Sequence, residues 1–243
     1  MTSLVVLAWL ALWVWGSSPY SRFLNHSELV YLNFEQIGFL LVFVAGWTLM
    51  TVAMMLPSSL PLINQFYIIT RNKRNRSALL YLLLVGYLIV WALFGLVAHL
   101  FDWALHWLVA QNSWLETHSW IIGASILLMA GVYQFTPLKY YCLEKCRAPL
   151  SFIMEHWGGR NESKQAFRLG LHHGLFCLGC CWSLMLLMFA AGTGSLAWMF
   201  GLGTVMVIEK NSRWGRFLSP VLAVALLMIG TFTIIANISN LTF

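Results

Sequence analysis

From Ala78 to Phe101 the chain reads ALLYLLLVGYLIVWALFGLVAHLF, a run without a formally charged residue and too long and too apolar for the one-sided helix of a soluble domain. In lipid every backbone N–H and C=O must be bonded within the segment, and a hydrocarbon core about 30 Å thick takes roughly 20 apolar residues as a helix. Six more stretches read the same way, which places spans at about 3–16, 37–57, 78–101, 119–138, 170–191, 195–210 and 217–236. The first is short. It lacks the basic leader and small-x-small cleavage site of a secretion signal and is read as a transmembrane helix. With 60% hydrophobic and 9% charged residues over 243 positions, a soluble globular domain is excluded. The expected fold is all-α: one integral membrane domain over residues 1–243, a polytopic bundle of about seven helices.

The basic residues orient that bundle. Arg71, Lys73, Arg74 and Arg76 follow span two; Lys139, Lys145, Arg147, Arg160, Lys164 and Arg168 lie between spans four and five; Lys210, Arg213 and Arg216 follow span six. Of the 14 basic residues only Arg22 lies elsewhere. The positive-inside rule then puts the N-terminus in the cytosol and the C-terminus outside. The net charge of +6 is thus a topology signal, and RNKRNR is read as an anchor to inner-leaflet lipids, not as a nucleic-acid site. Trp13, Trp15, Trp103, Trp107, Trp114 and Trp120 gather near the outer ends, as an interfacial belt does. The loop 139–169 mixes aromatics, Pro149 and Gly158-Gly159 too richly for a disordered linker, so short helices at the inner surface are expected. The sequons at Asn25, Asn237 and Asn240 fall outside.

Span five carries the chemistry. It reads LHHGLFCLGCCWSLMLLM over residues 171–188. At about 100° per residue, His173, Cys177, Cys180, Cys181, Met185 and Met188 share an arc of roughly 140°, while His172 points elsewhere. Gly170 and Gly174 allow a neighbouring helix to come close. One helix cannot surround an ion, so donors are needed at the same depth on other spans. Cys142 and Cys146 lie four apart just beyond Pro137, Met54 and Met55 precede Pro57, and Met206 and Glu209 end span six. Met50, Met129, Met188 and Met199 are read as packing. A stable disulfide is disfavoured on the cytosolic side. Thiolate and thioether donors select Cu(I), zinc or iron–sulfur clusters, and methionine tips the balance to Cu(I); zinc fits the cysteine spacings alone. A second donor set, His99, Asp102 and His106, falls within about 60° of arc at the outer end of span three, with His118 in the loop beyond.

The phrases MTVAMMLPSSLP, GVYQFTPLKYYCLEKCRAPLSF, GLHHGLFCLGCCWSLMLLMFAAG and LAWM followed by EK resemble a bacterial family of predicted metal-binding integral membrane proteins, a domain of unknown function. That family includes a copper chaperone serving a tyrosinase-type oxidase. The resemblance covers most of residues 45–210. It implies copper handling in the bacterial cytoplasmic membrane, with motif positions at Met54, Met55, Pro57, Gln134, Pro137, Lys139, Cys142, Cys146, Arg147, Pro149, His173, Gly174, Cys177, Cys180, Cys181, Trp182, Met185, Trp198, Met199 and Glu209. The chain departs from the pattern at Gly194, where a second methionine is expected.

The expectation is therefore a membrane copper chaperone, not an enzyme, that receives Cu(I) from a cytosolic donor and delivers it to a copper-dependent enzyme. A copper or other metal transporter would use the same ligands but needs acidic or histidine sites on both faces. A membrane thiol-disulfide oxidoreductase using Cys177 and Cys180 would place its thiols on the reducing side, with no cysteine in the outer loops.

Overall fold

The computed structural model describes residues 2–16, 35–191 and 195–241; Arg22, the sequon at Asn25 and Gly194 lie outside the described residues. Ten helices are present among them and no strand: α1 (Thr2–Gly16), α2 (Glu35–Ile69), α3 (Arg76–Gln111), α4 (Ser113–Thr117), α5 (Trp120–Tyr133), α6 (Pro137–Arg147), α7 (Pro149–His156), α8 (Glu162–Ala191), α9 (Leu196–Asn211) and α10 (Gly215–Leu241). Within α2, α3, α8 and α10 are stretches long and apolar enough to cross a membrane, and α5 with α6 makes a fifth if the bent pair is counted as one span. The expectation was seven. α9 has 16 residues, about 24 Å at 1.5 Å per residue, and α1 is likewise a shorter apolar helix. The loop 139–169 is helical, as expected, in α6, α7 and the first turns of α8.

Proline explains where the helices break and where they do not. The expected span 119–138 is α5 with the first residues of α6, and the two helices meet at a bend of 65°. Thr136 precedes Pro137 and is extended (φ −72°, ψ 143°), its hydroxyl facing the Lys139 amide. A residue before proline avoids the helical region, whereas proline itself suits a first helical turn. In α2, by contrast, the helix continues through Pro57 and Pro61. Pro57 leaves the Ala53 carbonyl without its i+4 donor, and the Trp9 indole donates to that carbonyl at 3.2 Å.

Helix α8 is the axis of the bundle, packed against α3, α5, α6, α7 and α9, while α1 and α9 lie on α2 and α10 covers α5. Small residues set its distance from α3. A Cβ on Gly170 would collide with the Leu83 backbone carbonyl, and one on Gly174 would meet Val90 Cβ at 2.9 Å. Close backbone approach of this kind is what small-residue helix contacts permit. Two apolar clusters result. One holds all five cysteines with Met50, Met54, Met55, Met185, Met188, Met199 and Met206. The other packs Leu56, Ile63 and Phe66 of α2 on Leu79 and Leu83 of α3 and Phe152 of α7. Met129, expected to be packing, is 40% exposed. The outward faces carry exposed Leu93, Val97, Phe200, Phe232 and Ile235, an apolar exterior compatible with lipid.

Gly170→Ala is expected to destabilise the protein by about 1–3 kcal/mol, the usual cost of overpacking. Gly201→Ala, where nothing lies within 4 Å of an added Cβ, should be neutral or stabilising by up to about 1 kcal/mol through helix propensity. Chemical unfolding in detergent followed by far-UV circular dichroism separates the two.

Candidate metal centre

Four of the five thiols form a string inside the bundle. Cys177, Cys180 and Cys181 come from successive turns of α8 and are at most 1% exposed. Cys180 Sγ lies 3.2 Å from Cys181 Sγ and donates to the Cys177 carbonyl at 3.1 Å. Cys181 interacts with Cys177, and Cys146 of α6 reaches Cys180 from the side. The contacts run pairwise along α8 without converging on one point. Among the described residues, no three His, Cys, Asp or Glu side chains form a group arranged to hold a metal ion. Cys142, expected with the others, sits one turn back on α6 with its sulfur packed on Gly179. Tyr133 donates to the Gly179 carbonyl there.

The end of the string is closed by a lysine. Lys210 of α9 is 4% exposed; its Nζ donates to Cys177 Sγ at 2.9 Å and to Ser58 Oγ of α2 at 3.1 Å. The Tyr87 hydroxyl of α3 lies 3.1 Å from the same sulfur. The electrostatic partners of Lys210 are Cys177, Cys180, Cys181 and Cys146. Counting basic residues for orientation read Lys210 as a cytosolic loop charge; instead it is a buried cation facing sulfur. An ammonium is buried only where an anion or several acceptors receive it, and here the Cys177 sulfur and the Ser58 hydroxyl receive it.

Glu209, placed by its depth alongside the sulfur donors, turns the other way. Its carboxylate receives Lys139 Nζ at 2.8 Å and the Ser219 hydroxyl at 2.7 Å, and its carbonyl receives Arg147. Lys139 also donates to Gln134. Successive residues differ by about 100° on a helix, so the Glu209-Lys210 pair sends opposite charges to opposite partners: the carboxylate to α6 and α10, the ammonium to the thiols.

The remaining expected donors divide. His173, 3% exposed, stacks on Tyr87 with ring centroids 5.5 Å apart, and its Nε2 lies 3.0 Å from Ser59 Oγ. Its Nδ1 is buried without a hydrogen-bond partner. Met54, Met55 and Met185 are at most 1% exposed in the same cluster as the cysteines, with Met54 against Gly203 of α9. The outer set is looser. Asp102 and His106 pair at 3.5 Å, whereas the His99 ring stacks on Phe43 at 4.3 Å.

Sequence reasoning missed Lys210, Tyr87 and Ser58. The signal for Ser58 was present, because it directly follows the Pro57 that interrupts the helix ladder. Lys210 lay in the EK phrase of the family resemblance, but its charge was counted with Arg213 and Arg216 and nothing marked it as facing sulfur.

Fold and donor set together define a class: an all-helical protein with four or five helices of membrane length around an interior lined with thiol and thioether sulfur. Over residues 44–233 the chain matches the PpoB2 family, described as a copper chaperone, and belongs to it. No curated protein and no solved structure matches the chain.

Lys139→Met should destabilise the protein by about 3–5 kcal/mol, because it leaves Glu209 buried without its cation. Lys139→Met combined with Glu209→Met should be less destabilised than the sum of the single changes. Equilibrium unfolding of the three variants in detergent measures the coupling.

Proposed function

We propose that this protein is an integral membrane copper chaperone that holds Cu(I) on its interior sulfur donors and hands it to a copper-dependent enzyme during assembly. The observation carrying this reading is the string of Cys146, Cys180, Cys181 and Cys177 ending on the buried Lys210 ammonium, in a chain of a copper-chaperone family. Soft sulfur suits Cu(I) better than zinc, and two donors suffice for Cu(I), so a group of three or more is not required. Two thiolates around Cu(I) carry one negative charge. Lys210 neutralises it in a setting where an uncompensated charge is expensive.

Cys142, Cys146, Cys177 and Cys180 are the principal ligands on this reading. Cys181, Met54, Met55, Met185 and His173 are the reserve that lets an incoming donor bind before an outgoing one leaves. The protein carries cargo and catalyses nothing. It crosses the bacterial inner membrane seven times, with its N-terminus in the cytosol and its C-terminus outside; the short α1 and α9 cross with the help of neighbouring helices. A cytosolic donor supplies the metal, membrane lipids cover the apolar exterior, and His99, Asp102 and His106 form a second, weaker donor set on the outer side.

The test is anaerobic purification in detergent, with bound metals read by mass spectrometry and Cu(I) affinity by competition with a chromophoric chelator. The parent should retain copper. Cys142→Ser and Cys177→Ser should each lower the affinity strongly, Lys210→Met by about 10- to 100-fold as the loss of a neighbouring partner does, and His99→Ala not at all. Cysteine variants that bind copper like the parent would overturn the site. Metal-free protein with a disulfide between Cys177 and Cys180 would point instead to thiol-disulfide exchange.

A further inference from the structure

A groove of about 450 Å³ opens between α6, α7 and α8. Its walls are Leu138, Leu175 and Phe176, its floor includes Cys142, and two histidines line it, His156 at the end of α7 and His172 on α8. The two rings meet edge to face with centroids 4.7 Å apart. His156 Nδ1 lies 2.9 Å from the Phe152 carbonyl. A carbonyl only accepts, so Nδ1 carries the proton and the Nε2 lone pair of the neutral ring is left for a ligand. That backbone tether of one ring nitrogen is how metal-binding histidines are commonly oriented. Nδ1 of His172 is buried without a hydrogen-bond partner. A polar atom in that position is costly unless something outside the chain satisfies it.

Cys142 lines the groove with its sulfur packed on Gly179, and Cys146, one turn further along α6, reaches Cys180 of the thiol string. Glu155, next to His156, receives both its hydrogen bonds from Lys145 of α6, at 2.8 and 2.9 Å. That contact holds its carboxyl below the usual carboxylate range and ties α7 to α6. None of this was legible along the chain, where His172 pointed away from the cysteine stripe and His156 belonged to a different helix.

We propose that His156 and His172 form a loading port, the first Cu(I) site of the protein, from which the ion passes to the Cys142 sulfur and on to the interior thiols. The inference rests on the copper reading above. Two neutral imidazoles hold Cu(I) with two nitrogen donors and no added charge, a weaker hold than thiolate sulfur, so the ion moves downhill into the bundle. At the hand-over a copper–nitrogen bond breaks as a copper–sulfur bond forms, the Cys142 thiol releases its proton to solvent in the groove, and no electron is transferred.

The double variant His156→Phe/His172→Phe keeps two aromatic rings in the groove and removes both donors. The full-length chain, in detergent and without oxygen, is mixed with Cu(I) bound to a chromophoric chelator, and chelator absorbance gives both the loading rate and the final occupancy. Loading should slow by about tenfold or more, with final occupancy and thermal unfolding unchanged. A variant that loads as fast as the parent overturns the port while leaving the interior site intact. A variant whose final occupancy also falls overturns it too, because the histidines would then belong to the storage site or the fold. A parent that takes up no Cu(I) overturns the copper reading and the port with it.

Discussion

The ammonium of Lys210 among the thiols is the interaction on which the rest of the interior depends. An isolated charge taken out of water costs far more than any single packing contact returns, so this side chain is tolerable only if α2, α8 and α9 keep one mutual arrangement. Ser58 and Cys177 receive the ammonium from two of those helices. One residue earlier, Glu209 meets Lys139 and Ser219. Between them the two residues fix the rotation of α9, since turning it to satisfy either charge differently would strand the other.

Backbone features make that arrangement reachable. Gly170 and Gly174 bring α3 against α8, which is how the Tyr87 hydroxyl arrives at Cys177. Pro57 removes a backbone donor from α2, and Trp9 of α1 makes up the loss, which adds a polar anchor to the packing of Ala8 and Leu12 in the core. Methionine fills the space around the thiols. Its unbranched, polarizable side chain adapts to irregular gaps, so Met54, Met55 and Met185, read as donors, share one cluster with Met50, Met188 and Met199, read as packing.

The legibility of the site followed the range of the information. The cysteine stripe on α8 and the four-residue spacing of Cys142 and Cys146 are properties of single helices, and both were readable from periodicity. Where Cys142 points was not: it faces Gly179 and the groove, while Cys146 reaches Cys180. The break between Tyr133 and Pro137 carried a local proline signal, and the expected span ended there, with α6 falling in the loop expected to hold short helices. Lys139 and Lys210 were counted as cytosolic loop charges because a positive count cannot tell a solvated lysine from one held by Glu209 or by sulfur.

The amino-acid sequence by itself determined that this chain is helical, that its long helices are apolar enough for lipid, and which face of α8 carries soft donors, because helix formation and its 3.6-residue period are local. Only the tertiary structure decided which thiols touch, that Lys210 closes the string, and that His156 and His172 share a groove with Cys142. Those contacts join helices far apart along the chain. Each depends on how a helix is rotated and how closely it approaches its neighbour, and these are set by glycine contacts and buried charge pairs between segments that no local pattern encodes.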